Sequence, residues 1–312
     1  MQVFHRLEEI ANALSSSAVA IGNFDGVHIG HQHLLSKMLE ESKRLGVPSV
    51  VLTFFPHPVE LLRPEQKRER LFTASEKLSC LEAMGISHVL VAPFDEALSS
   101  LSPLQFFETY LLCGLKARSV TVGYDFRFGK ERVGDTKLLE AFCLRHGVTL
   151  NVVEAFLQNN VKMSSTLIRE ALRAGAVDRA ARFLGRPYSI SGLVSHGESR
   201  GEKIGFPTAN LKPPSDKLLP RDGVYVTRAI WQKQVFPSVT NIGMRPTFHD
   251  SEVPRTIEVH LIDFKARLYD ELIQVDFFER IRDEKKFSSI DELTQQIKLD
   301  VQYARDSNKA KV

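Results

Sequence analysis

Two stretches of this 312-residue chain concentrate residues that can handle phosphate. The first is Gly22–His31, which reads Gly-Asn-Phe-Asp-Gly-Val-His-Ile-Gly-His. His28 and His31 stand three apart, so on a turn entering a helix both imidazoles can face one side. Imidazoles placed there can donate hydrogen bonds to phosphate oxygens and stabilise charge that builds up during displacement. Gly22, Gly26 and Gly30 would let the backbone approach a ligand, and a helix beginning near Gly30 would turn the positive end of its dipole outward. The second stretch is 196–211, where Gly197, Gly201 and Gly205 recur every four residues ahead of Pro207, Thr208, Ala209 and Asn210. A Gly-rich loop can wrap polyphosphate through its N–H groups. No Gly-Lys-Ser/Thr closes it, so it is not a P-loop. Thr208 and Asn210 offer oxygens to a hard cation such as Mg²⁺, which takes waters and substrate phosphates as its other ligands. Lys203 in the same loop reads equally as a ligand contact or a solvated loop lysine.

The elements that must hold these residues change character along the chain. Ser17–Gly22 reads as a strand that feeds the first motif. After it, Leu34, Leu35, Met38, Leu39 and Leu45 recur near helical period, and Gly46 stops the helix. Ser49–Phe55 is a continuous apolar strand of the kind covered on both faces. Helices through Ser75–Met84, over 103–113 (Ser102 as N-cap, Pro103 at the first position) and near 136–146 alternate with strands at His88–Phe94, Ser119–Gly123 and Val148–Ala155. Alternation of this kind predicts a parallel sheet with crossover helices. Two helical segments at 164–173 and 177–184 follow. Strand-rich segments then run from Ser189 to Ile281 with Gly, Pro and Asp-Gly punctuation, which suits a small antiparallel barrel. An amphipathic helix over 289–305, capped by Ser289, ends the pattern. The boundary is placed near 183–188, giving domains 1–185 and 186–312.

Bulk properties exclude several classes. A net charge of +3 is too small to argue for nucleic acid, and the basic residues are interleaved with acidic ones. No run approaches the roughly 20 apolar residues of a membrane span, and the first residues carry charges where a signal peptide needs an apolar core. The three cysteines, Cys80, Cys113 and Cys143, have no metal-binding spacing and read as buried reduced thiols. A soluble cytoplasmic protein follows.

The first motif resembles the HIGH-type signature of nucleotidyltransferases. In its longer form it is similar to that of the bacterial bifunctional riboflavin kinase/FMN adenylyltransferase (FAD synthetase) family. Thr53–Pro58, Val122–Asp135 and Ser164–Leu172 resemble that family's Pro-His-Pro, Gly-x-Asn/Asp-Phe-x-Phe-Gly and Ser-Ser-Thr-x-Ile-Arg segments, in the same order. Gly205–Asn210, Leu218–Val226, Thr240–Phe248 and Ile257–Phe264 resemble the riboflavin kinase part. The fold implied is a Rossmann-like α/β domain followed by a mostly-β barrel ending in a helix.

The resemblance also implies roles. His28 and His31 would contact ATP phosphates, with Gly22, Phe24, Asp25, Gly26 and Gly30 shaping that site. Ser164, Ser165, Thr166 and Arg169 would close on the triphosphate. Pro56, His57, Asp125 and Arg127 would frame flavin or nucleotide, although His57 could equally be a rigid loop residue, and Phe126 and Phe128 could equally be core. Asp125 stands where the family often has Asn, and an ionised Asp cannot donate. In the barrel, Gly197, Gly201, Lys203, Gly205, Thr208 and Asn210 would bind ATP, with Thr208 and Asn210 at the metal. Glu258 shares one strand face with His260, opposite Ile257, Val259 and Leu261. The resemblance marks it as base for the ribityl hydroxyl. Arg221 and Asp222 read as loop anchors, and Asp270 as a turn residue.

The function implied is phosphorylation of riboflavin to FMN, then adenylylation of FMN to FAD, with ATP as co-substrate and Mg²⁺ as cofactor. Self-association stays open. The alternatives are a nucleotidyltransferase with another phosphorylated acceptor and a non-catalytic flavin-binding regulator.

Overall fold

Ser17–Ile21 (β2) and Ser49–Phe55 (β3) are apolar and buried almost throughout, as strands inside a covered parallel sheet must be. In the computed structural model, which describes residues 1–58, 69–158, 161–196, 201, 204–244 and 255–307, contacts divide the chain into two units, Met1–Ser164 and Ser165–Val312. In the first unit, β2 and β3 join Gln2–Phe4 (β1), His88–Pro93 (β4), Ala117–Gly123 (β5) and Thr149–Val153 (β6). The order is β1-β4-β3-β2-β5-β6, with every pair parallel.

Successive side chains feed two cores. Val19, Ile21, Val50 and Leu52 pack with Phe107, Leu111 and Leu139. Ala18, Ala20 and Val51 pack with Leu35, Met38 and Leu81 on the other face. Strand order reverses between β2 and β5, and in open α/β sheets ligands bind outside the carboxyl ends at such a reversal. Gly22–His31 leaves β2 there, and Gly123–Asp125 leaves β5 beside it.

Helix Ile29–Leu45 ends as expected on Gly46, whose φ of 64° suits glycine. Three features depart from expectation or add to it. Ser102 does cap a helix, with Gln105 returning the bond, but only Pro103–Phe106 is α-helical. Phe107–Gly114 continues as π-helical turns, with Leu115 N–H on Tyr110 O at 2.8 Å. The wider turn brings Phe106, Phe107 and Leu111 into one core. Second, the charged N-terminus supplies strand β1 and helix Leu7–Ala13. Third, Cys113 is exposed; Cys143 is buried, and burial pushes its thiol up to about 11.

The second unit begins with helices Ser165–Arg173 and Val177–Leu184, whose inner faces bury Ile168, Leu172, Ala180 and Leu184. Then Tyr188–Ser195 (β9), Ala209–Lys212 (β10), Gly223–Trp231 (β11), Gln234–Met244 (β12), Arg255–Leu261 (β13) and Leu272–Arg282 (β14) close an antiparallel barrel in the order β10-β13-β12-β11-β14-β9. Two-residue strands at 157–158 and 161–162 are β7 and β8 of the first unit. Tyr188, Tyr225, Ile273 and Phe277 are fully buried. Outward-facing Val224 and Val226 pack with Val301 and Ala304 of the last helix, Ile290–Asp306, which Ser289 caps. Asp270 turns the chain at φ 63°, a conformation open to Asp.

The last helix also carries Asp300, buried and held by both arms of Arg282 at 2.7 and 3.1 Å and by Gln296 at 3.0 Å. Asp300→Ala leaves a poorly solvated guanidinium without its carboxylate and is expected to cost the second unit about 3–5 kcal/mol. Trp231 is the chain's one tryptophan and lies in this unit, so its fluorescence during urea unfolding reads the loss.

Candidate active sites

The Gly22–His31 turn is built around its own rings. His28 caps helix Ile29–Leu45, its Nδ1 accepting from His31 N–H at 3.2 Å. That acceptor role places the proton of the neutral ring on Nε2, a donor suited to a phosphate oxygen. The His28 and His31 rings stack with centroids 3.6 Å apart, and Phe24 meets His31 edge-on at 5.3 Å. The two histidines therefore work as one surface. A Cβ on Gly30 would stand 3.2 Å from the His28 ring, and one on Gly22 would stand 3.0 Å from the Phe24 ring. The smallness of both glycines thus serves packing inside the motif. Gly26 sits at φ 82°, where a side chain would be strained. Phe24 and Asp25 are buried, and the Asp25 carboxylate accepts from Leu71 and Phe72 N–H at 3.1 and 3.2 Å.

Around this turn the other residues separate. A cavity of about 340 Å³ at the carboxyl ends of β3 and β4 is lined by Asp25, Thr53, His57, Arg70 and Lys77 among others. Pro56 follows a cis peptide at the end of β3. Asp125 is exposed and pairs with Lys162 at 3.4 Å; Arg127, also exposed, pairs with Asp135 at 3.4 Å. Phe128 belongs to the core, and Phe126 packs half-buried against it. Ser164 ends the first unit, while half-buried Ser165, exposed Thr166 and buried Arg169 lie in the first helix of the second.

On the barrel, β13 alternates as its sequence requires: Ile257, Val259 and Leu261 are buried, and Glu258 and His260 are half-buried on the outer face. Strand register places Asn210 of β10 directly opposite Glu258 on one side and Asn241 of β12 directly opposite it on the other. Cross-strand neighbours of this kind stand about 5 Å apart at Cβ. Asn241 Nδ2 donates to Glu284 at 3.2 Å. Asn241 lies in a segment recognised by its motif, yet nothing in the sequence pointed to that residue; only the pairing register does. Thr208 immediately precedes β10, and His260 Nδ1 meets Pro207 O at 2.8 Å, tying the loop to the Glu258 face. Gly201 accepts from Ile204 and Phe206 N–H, closing the turn, and Gly205 takes φ 83°. Gly197 and Lys203 lie outside the described residues. Asp222 is a loop anchor, bound by Arg255 at 2.7 Å and through its carbonyl by Arg280.

Residues 10–167 match the FAD synthetase family, and residues 184–308 match the riboflavin kinase family. The chain belongs to the bifunctional riboflavin kinase/FMN adenylyltransferase family. Curated relatives of that name from Bacillus subtilis (strain 168) and Escherichia coli (strain K12) are each 37% identical to it. The alignments cover 97% of this chain and 96% of the first relative, and 98% of this chain and 97% of the second. A crystal structure from Streptococcus pneumoniae, described as a macrolide-efflux protein, has a TM-score of 0.89 at 30% identity, covering 98% of this chain and 99% of that one. The efflux description is said of that protein. Among the described residues here, no helix is long and apolar enough to cross a membrane. The family's two parts correspond to the two kinds of architecture seen, a parallel α/β sheet and an antiparallel barrel.

Proposed function

We propose that this cytoplasmic chain makes FAD from riboflavin in two ATP-dependent steps, divided between residues 1–185 and 186–312. The reading rests on one juxtaposition: the chain has two phosphate-handling sites of different construction, and the product of the second is the acceptor for the first.

In the kinase step, the ribityl 5′-hydroxyl oxygen attacks the γ-phosphorus of ATP. The bond from that phosphorus to ADP breaks, and the hydroxyl proton passes to Glu258. Thr208 and Asn210 supply hard neutral oxygens, and Asn210 stands opposite a carboxylate, a donor set that fits Mg²⁺. Among the described residues no cluster of three His, Cys, Asp or Glu offers a metal site, so phosphates and water would complete the shell. The ion, when bound, neutralises phosphate charge. Gly197, Gly201, Lys203 and Gly205 are assigned to the ATP loop. Asn241 hydrogen-bonds beside the base, and Asn241→Leu is expected to lower the turnover of riboflavin about tenfold, as loss of an orienting neighbour does. Initial rates at saturating riboflavin and ATP check this.

In the transferase step, an FMN phosphate oxygen attacks the α-phosphorus of ATP and pyrophosphate leaves. No protein nucleophile is required, so catalysis is alignment and charge stabilisation. His28 and His31 supply donors. Ser164, Ser165, Thr166 and Arg169 are assigned to the triphosphate, and Pro56, His57, Asp125 and Arg127 to the flavin or the nucleotide. Incubation with riboflavin, ATP and Mg²⁺, followed by separation of the flavins, should show FMN and then FAD. FMN alone would remove the transferase assignment. FAD from supplied FMN but none from riboflavin would remove the kinase assignment.

A further inference from the structure

Helix Ala74–Ala83 carries Lys77, whose ammonium donates to the carbonyl of Asn23 at 2.8 Å and to the Thr53 hydroxyl at 3.3 Å. The Thr53 hydroxyl donates to the same carbonyl at 3.3 Å. A helix, strand β3 and the Gly22–His31 motif therefore meet on one peptide. Asp25 adds a second tie, because Leu71 and Phe72, whose N–H groups it binds, lead into that same helix. The capping box between Thr73 and Glu76 fixes where the helix starts. Between and beyond these ties the chain takes conformations that side chains rarely adopt, with φ of 49° at Phe24 and 36° at Val27. Such a turn persists only where its surroundings impose it. The next residue after Val27 is His28.

We propose that Lys77 is a positioning residue of adenylyl transfer, holding the Asn23–Val27 turn so that His28 and His31 present one surface to the ATP phosphates. The inference rests on the transferase reading above. Lys77 touches neither reacting group; it acts through the Asn23 carbonyl.

Among the described residues, the charges that face Lys77 are Asp25 and Arg70, with His5 and His57 lining the same cavity. Burial lowers its pKa from 10.5 to about 8, against the pull of Asp25 and with the push of Arg70. As pH rises through about 8, the ammonium gives way to a neutral amine, a weaker donor to Asn23. Stability moves the other way. The folded chain releases this proton before the unfolded chain does, so the contribution of Lys77 to stability increases between pH 8 and 10.5. Opposed trends in activity and stability over that window separate positioning from packing.

The test uses the full chain with FMN and ATP, across pH, with riboflavin phosphorylation by the same protein as an internal control. Lys77→Met should lower kcat for FAD formation by about 10–100-fold while the kinase rate is unchanged. The alkaline fall in wild-type kcat near pH 8 should vanish in that variant. Lys77→Arg keeps a charge at all these pH values and should recover part of the rate with no alkaline fall. An active wild type with Lys77→Met within about twofold of it overturns the proposal alone. So does an alkaline fall that persists in both variants, a reading that holds even if Lys77→Met folds poorly. A wild type that makes no FAD overturns the transferase reading, and this proposal with it.

Discussion

Glu258→Gln is expected to lower FMN formation from riboflavin by about 10²–10⁴-fold, with FAD formation from supplied FMN unchanged. Gln keeps the size of Glu and can still hydrogen-bond, but it cannot take the hydroxyl proton. On the proposed assignment the substitution therefore removes the base and spares the packing of a half-buried position on the outer face of β13. A base acts in the transition state, so the loss should fall on kcat and leave the KM for riboflavin little changed. Asn210 and Asn241 flank the position on β10 and β12, which fixes where the carboxylate stands relative to the Thr208–Asn210 end of the loop. Separating flavin products at several times reads both activities from one sample. Equal loss of both would sink the division of labour between the two parts of the chain. An unchanged rate would sink the role of Glu258 as base.

Much of this architecture is legible in the sequence because the decisive signals are local. Ser49–Phe55 reads as a doubly covered strand from its composition alone, and it is one. Gly46 and Ser289 end and begin helices by backbone chemistry that needs no distant partner. The alternation along Arg255–Leu261 sets Glu258 and His260 on one face and Ile257, Val259 and Leu261 on the other, and it is the second set that the barrel buries. What escaped depends on residues far apart in the chain. Strand β1 is three residues long and exists by pairing with β4, some 86 positions away, as Gln2 opposite His88 shows. The π-helical turns after Phe106 follow from burying two adjacent phenylalanines in one core, a demand that comes from the sheet.

The same division runs through the sites. His28 and His31 announce themselves by spacing. Their stacking, and the reason for Gly22 and Gly30 beside Phe24 and His28, emerges only once the turn has closed. Asn241 and Lys77 carry no motif of their own. One is found by strand register and the other by a hydrogen bond across 54 positions.

The transferase counterpart of the Glu258 experiment needs care, because His28 has two jobs. In the proposed reaction its ring offers Nε2–H to phosphate, and in the structure its Nδ1 caps helix Ile29–Leu45. His28→Ala removes both, and loss of a cap alone costs about 1 kcal/mol. His28→Asn separates them: Asn is a good N-cap, so the helix start survives while the imidazole donor is gone. His28→Asn and His31→Ala are each expected to lower FAD formation from FMN by about 10²–10³-fold, the loss typical of a donor aimed at transition-state charge. The stacked rings act as a unit, so the double variant should fall well short of the product of the two single losses. Riboflavin phosphorylation should stay at its wild-type rate in all three, since β13 and its neighbours are untouched. If His28→Asn keeps its FAD rate, the imidazole serves only as a cap and the phosphate contact must come from elsewhere on the turn. If the double loss equals the product of the single losses, the stacked pair is two independent donors, and the geometry that joins them has no part in the reaction.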